Sequence, residues 1–266
     1  MHPVIFSLGP LEIKSYGVML AISFLAGYLV ARKRAEHRGI GPEALLDLCF
    51  WILLSAIVGS RAFYIATHWE QYADNPLGAF SIWEGGLSMM GGVLMSLAAG
   101  WLYLKKAGVR FALMADTMAP SIALGIGLTR IGCFLYGCCY GLPTDLACGI
   151  TFPDISAAGS HFHVPIHPTQ LYSSAYGFAI LGILLLIDRF RPREGALFGI
   201  FAMLYAVARF TVDFFRYYEP QQFVFSQPVA LTNNQIISMA LFAFGAALAI
   251  RAWITRPGEA VDSVGG

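Results

Sequence analysis

The chain has 266 residues, 57% of them apolar and only 12% charged, with a net charge of +1 and a mean hydropathy of +0.64. Soluble domains carry roughly 25% charged residues, so this composition argues against one, and the near-zero net charge leaves no bulk electrostatic attraction to nucleic acid. Uncharged runs decide the class: Tyr16 to Ala31, Leu48 to Ser60, Thr117 to Thr129, Gln170 to Ile187, Ala196 to Ala208 and Gln235 to Ile250 approach the roughly 20 residues that cross a bilayer as helix.

Taken in order, residues 1–14 hold His2, Pro3, Gly9 and Pro10 and no basic stretch before the first apolar run, so no cleavable signal sequence is expected. Seven membrane helices are then predicted, at 15–31, 45–66, 88–104, 113–137, 169–187, 195–215 and 234–254. Lys and Arg sort between their loops. Arg32, Lys33, Arg34 and Arg38 follow the first helix, Lys105, Lys106 and Arg110 the third, and Arg189, Arg191 and Arg193 the fifth, and Arg251 and Arg256 close the chain. Loops 67–87, 138–168 and 217–233 hold none. Basic residues mark the cytoplasmic side, so the N-terminus is predicted outside and the C-terminus inside. The fold class is an all-α integral membrane protein of about seven transmembrane helices, forming a single polytopic domain over 1–266. The outer loops 67–87 and 138–168 are expected to pack over a cavity. Trp69, Tyr72, Phe80 and Trp83 in the first suit an interfacial belt, and the second carries His161, His163 and His167.

Arg61, Arg130 and Arg209 fall inside predicted spans, and Arg216 at the outer end of the sixth. An arginine at mid-membrane costs at least about 2.5–3.5 kcal/mol on insertion scales. Helices 2, 4 and 6 run in the same direction and each carries its arginine late, so all three reach a similar depth in the outer half. Internal pairing is one explanation: Asp213 lies one helical turn from Arg209, and Glu84 could reach Arg61. Arg130 has no local acid. The other explanation is a cationic pocket for a phospholipid headgroup, because the guanidinium fork suits phosphate oxygens.

Arg130 sits in GIGLTRIGCFLYGCCYG, with Gly125, Gly127, Gly132, Gly137 and Gly141 around it. Such a stretch either packs a helix crossing closely or breaks to line a cavity, and the embedded arginine favours a broken helix near the site. Cys133, Cys138 and Cys139 cluster here, with Cys49 and Cys148 elsewhere. They can be read as small buried hydrophobes, as a disulfide of Cys148 with Cys138 or Cys139, or as metal ligands with a loop histidine; no metal is assigned.

Several ordered pieces carry a family resemblance: SYGVM around Tyr16, GSRAFY around Arg61, WEGGLSMMGG at 83–92, TRIGCFLYGCCYG at 129–141, HPTQLY at 167–172 and LYAVARFTVDFFR at 204–216. Over nearly its whole length the chain resembles the bacterial prolipoprotein diacylglyceryl transferases. The resemblance implies transfer of the diacylglyceryl group of phosphatidylglycerol to the lipobox cysteine of a prolipoprotein, at the outer leaflet of the bacterial inner membrane. A thioether forms and glycerol phosphate leaves, without nucleotide or metal cofactor and without nucleic acid. A monomer in membrane lipid is expected. By resemblance, Arg130, Arg209 and Tyr16 are catalytic. Arg61, Tyr205, Asp213, Arg216, Gln170, Gln235, Glu84, Gly91, Cys133 and His167 line the substrate. The chain departs from the pattern at Met90, where the family usually has His, at Cys133 for Asn, at Cys138 for Glu, at Ser173 for Glu and at Thr129. Met90 cannot act as a general base. A paralogue with another acceptor, or a transporter, is the competing expectation.

Overall fold

The computed structural model describes residues 4–8, 11–72, 78, 85–219, 223 and 231–254. Glu84, Phe80 and Trp83 lie outside these residues. The chain opens with a two-stranded antiparallel hairpin, β1 (Val4–Leu8) and β2 (Leu11–Lys14), which the hydropathy reading did not anticipate. Seven α-helices follow among the described residues: α1 (Ser15–His37), α2 (Pro42–Thr67), α3 (Met89–Lys106), α4 (Phe111–Tyr136), α5 (Thr169–Asp188), α6 (Ala196–Asp213) and α7 (Asn233–Ile254). Six of them are long and apolar enough to cross a membrane. The exception is α3, an 18-residue helix that ends in Lys105 and Lys106. The chain is a multi-pass membrane protein whose described residues are mostly helix.

Local chemistry sets the helix ends. Pro42 opens α2, where its missing N–H is no loss. α6 opens after Gly195, which takes φ +87. The carboxylate of Asp116, a buried residue of α4, accepts the backbone N–H of Gly195 at 2.8 Å and of Phe198 at 2.7 Å. A buried anion is thereby matched to the positive end of a helix. Thr232 caps α7 through a reciprocal pair: its Oγ1 accepts from Gln235 N at 3.1 Å, and its own N–H donates to Gln235 Oε1 at 3.0 Å.

The chain divides into two compact units, residues 1–31 with 115–266, and residues 32–114. In the larger one, Ala119 and Ala123 of α4 pack with Ile180 and Leu184 of α5 and with Leu197 and Phe201 of α6. α4 and α5 approach so closely that a Cβ on Gly177 would stand 2.7 Å from Gly127 N. In the smaller unit, a Cβ on Gly91 of α3 would stand 2.3 Å from both Gly59 O and Phe63 Cβ of α2. Gly91 is therefore a helix-packing residue.

The break expected in the glycine-rich stretch comes at its end. α4 runs unbroken through Gly125, Gly127, Arg130 and Gly132, and stops at Gly137, φ +83. Segment 138–168 is then folded rather than trailing. Gly141 pairs with Arg216, and Pro143 and Ile150 pair with Ile166. Phe152, Ala158 and Ile166 form its buried core with Phe134 and Phe162.

Candidate functional site

The larger unit brings most of the candidate residues together near the ends of α4 and α6 and the start of α5. Arg130 stands on α4, half-buried. Its charge is felt at Cys139, Cys133, Tyr176 and Tyr205, and at Tyr16. Among the described residues it makes no hydrogen bond and faces no carboxylate within ion-pair distance. Arg209 on α6 is buried and ion-paired with Asp213, one turn on. Its Nη2 also donates to Tyr218 Oη at 2.8 Å.

Asp213 is the hub of this side. Besides Arg209, its carboxylate accepts from Tyr218 Oη at 2.7 Å and from Thr232 Oγ1 at 2.6 Å. Burial pushes the Tyr218 hydroxyl above its ordinary pKa, so it stays a donor. Asn234 Nδ2 donates to the same hydroxyl at 3.0 Å. Arg209 is thus fixed by a connected network through both terminal nitrogens, whereas Arg130 has no such partner among the described residues. Arg216 lies with its guanidinium 5.4 Å from the Tyr218 ring centroid, and its charge reaches Cys139.

Tyr205 lies within electrostatic reach of both Arg130 and Arg209. Tyr176 shares that position, and its ring centroid is 6.1 Å from that of Tyr205. Its hydroxyl is buried beside Ser173 yet completes no hydrogen bond of normal geometry among the described residues. Tyr176 was missed in the sequence. The available signal was its helical register with Thr169 and Ser173, which are buried on α5.

Tyr16 stands in the first turn of α1 and is 38% exposed, so it can meet a ligand from outside the bundle. Gln170 is buried and donates from Nε2 to Cys138 O at 2.7 Å, leaving Oε1 buried and unpartnered among the described residues. Gln235 spends its side-chain oxygen on the α7 cap. His167 is buried, its Nδ1 3.2 Å from Tyr172 Oη. Cys148 Sγ lies 3.3 Å from the same hydroxyl. All five cysteines are free thiols, so the disulfide alternative for Cys148 is not realised. Cys133, Cys138 and Cys139 do cluster, their Sγ atoms all within 4.8 Å of one another. Hydrogen bonding to Cys133 and Cys138 draws the Cys139 thiol far below its ordinary pKa, and Arg216 and Arg130 add to this against burial. Hydrogen bonding to the other two pushes Cys138 up.

Arg61 belongs to the smaller unit and donates to backbone carbonyls. It is buried, and donates to Gly85 O at 2.7 Å, Gly86 O at 3.0 Å and Gly78 O at 2.7 Å, with its guanidinium 5.3 Å from the Tyr72 ring centroid. The partner weighed for it in the sequence, Glu84, lies outside the described residues. Met90 is exposed in the first turn of α3.

The chain can be compared with known proteins on this basis. The profile of the prolipoprotein diacylglyceryl transferase family matches residues 3–251. A phosphatidylglycerol–prolipoprotein diacylglyceryl transferase of Pseudoalteromonas atlantica is 35% identical over 271 residues, 99% of this chain and 92% of its own length. Proteins of the same name from Nitratidesulfovibrio vulgaris (strain Miyazaki F) and Geobacter sulfurreducens are 37% and 34% identical, each covering 94% of this chain. A match over nearly the full length, from the first strand to the last helix, means that this chain belongs to the prolipoprotein diacylglyceryl transferase family.

Proposed function

We propose that this protein moves the diacylglyceryl group of phosphatidylglycerol onto the lipobox cysteine thiol of prolipoproteins, as a monomer in the bacterial inner membrane with its site toward the outer leaflet. The observation that carries this reading is Arg130, a guanidinium on an apolar helix with no carboxylate or hydrogen bond among the described residues. A cation in that setting calls for an external anion, and a lipid phosphate supplies one. Arg130 grips the phosphate with its planar fork. Arg209, oriented by Asp213 and Tyr218, is the second cation of the site. Tyr205 and Tyr176 stand within reach of both, and Tyr16 closes the outer side.

The acceptor thiol gives its proton to water, and the thiolate attacks the diacylglyceryl carbon bonded to the phosphate oxygen. The bond from that carbon to the phosphate oxygen breaks, and glycerol phosphate leaves. The phosphate gathers charge as it departs, and fixed guanidinium groups in a dry site stabilise that charge more than in water. Free thiols have a pKa of about 8.5. A cationic surrounding favours the thiolate, which reduces the need for a general base.

The test is thioether transfer in vitro from labelled phosphatidylglycerol to a lipobox peptide. Transfer by the wild type that is lost in Arg130→Ala supports the reading. Absence of transfer by the wild type, with a gain in Met90→His, overturns it in favour of a relative that has exchanged its acceptor.

A further inference from the structure

Three thiols meet where α4 ends. Cys133 stands in its last turn, and Cys138 and Cys139 follow directly on Gly137. Thiolates on one zinc-sized ion at a metal–sulfur distance of about 2.3 Å stand about 4 Å apart. The three Sγ atoms already lie within 4.8 Å of one another, so small rotations of the side chains close them on a single ion. Among the described residues no histidine or carboxylate joins this group.

The surroundings hold the loop in shape. Gly137 N and Cys138 N both donate to Cys133 O, at 2.9 and 3.1 Å. Cys139 takes φ +61, a conformation that side chains other than glycine seldom adopt. The carbonyls of Cys138 and Cys139 are held by Gln170 Nε2 at 2.7 Å and Thr169 Oγ1 at 2.9 Å, and both side chains are 1% exposed. Outer partners of this kind fix the orientation of metal ligands. The buried Gln170 Oε1, unpartnered among the described residues, sits on one of them.

Charge balance agrees. Three thiolates with a divalent ion carry one negative charge, and with a monovalent ion two. Arg216, whose backbone pairs with Gly141 two residues beyond Cys139, places a positive charge near the group. Thiolate ligands without histidine or carboxylate select soft ions with filled d shells. We propose that Cys133, Cys138 and Cys139 form a three-thiolate binding site for a thiophilic d10 cation, Zn(II) or Cu(I). The site rests on the thiol geometry and stands apart from the transferase reading.

The experiment uses the full-length protein, purified in detergent with reductant and stripped by a chelator. Co(II) is titrated as the optical substitute for Zn(II), and Cu(I) against a competing chelator. The expected result is one equivalent per chain of either ion. For Co(II) this brings thiolate-to-metal charge-transfer absorption that Zn(II) abolishes by displacement. Cys133→Ser, Cys138→Ser and Cys139→Ser should each remove binding, while Cys49→Ser and Cys148→Ser retain it. Thr169→Val should weaken it about 10- to 100-fold by freeing the Cys139 carbonyl. Saturation by Zn(II) alone or by Cu(I) alone identifies the ion and supports the site. Wild-type protein that gives no charge-transfer band and holds no Cu(I) against the chelator overturns it, whatever the variants do. So does binding that survives in Cys139→Ser. Thioether transfer is read separately: transfer by a chain that binds no metal sinks this site and leaves the transferase standing, and metal binding by an inactive chain does the reverse.

Discussion

Arg61 and Arg130 look alike in the sequence and differ in the fold. Arg61 stands six residues before the end of α2 and Arg130 six before the end of α4, each in a long apolar helix. The first gives its donors to the carbonyls of Gly78, Gly85 and Gly86 and so ties down the chain that follows its own helix. The second, among the described residues, has tyrosine and cysteine side chains as its leading electrostatic neighbours. Hydropathy locates a cation that must be compensated; the compensating group decides whether the cation serves the fold or a ligand. Arg209 lies between the two cases, paired internally yet next to Tyr205 at the site.

The largest effect should come from removing the internal compensation. Asp213→Ala leaves Arg209 charged and buried without its acid, and costs about 3–5 kcal/mol when one partner of a buried pair is deleted. Thermal unfolding in detergent should fall accordingly, and transfer should be lost with it. An unchanged unfolding midpoint would mean that Arg209 re-pairs with little loss, and that the network around Tyr218 is not structural.

Arg130 should behave in the opposite sense, with activity falling and stability holding. Arg130→Ala should lower the transfer rate about 10²- to 10³-fold, the range for one preorganised donor to a developing anion. Arg130→Lys should recover little of it, because a point charge does not reproduce a two-pronged grip. Near-normal turnover in Arg130→Lys would remove the phosphate from this residue. Arg61→Ala sharpens the contrast. It should cost about 1.5–3 kcal/mol of stability, the range for hydrogen bonds to a charged group, and lower the transfer rate less than Arg130→Ala does. A rate loss as deep as that of Arg130→Ala with an unchanged unfolding midpoint would make Arg61 a functional rather than a structural residue.

Most helix positions were legible because a membrane span writes itself as a long uncharged run. α5 was expected at 169–187 and spans Thr169–Asp188, and α7 was expected at 234–254 and spans Asn233–Ile254. The sixth helix was drawn to 215 but stops at Asp213, because Arg216 leaves the helix to pair with Gly141. The N-terminal hairpin escaped notice because its strands are only five and four residues long, too short for hydropathy windows to register. At the site, the arginines and Asp213 were legible as charges out of place. Tyr176 and Tyr218 were not, since an aromatic in or beside an apolar run reads equally well as facing lipid. The gathering of Cys133, Cys138 and Cys139 was visible in their spacing, but the fold around Thr169 and Gln170 that holds their carbonyls depends on residues some thirty positions away.

The smallest effect separates a cap from a ligand contact at Gln235. Family resemblance puts this residue at the lipid, and its buried position agrees with either role. Its side-chain oxygen, however, accepts the N–H of Thr232, whose hydroxyl both accepts from Gln235 N and donates to Asp213. Gln235→Ala should therefore cost about 1 kcal/mol, as loss of a helix cap does, and should act on transfer only through Asp213 and Arg209. Gln235→Glu restores an acceptor at the same distance along the side chain, completes the same reciprocal cap, and should recover stability. If stability returns in Gln235→Glu while the KM for phosphatidylglycerol stays high, the amide itself meets the headgroup; if both return together, Gln235 serves the arginine side of the comparison through the start of α7.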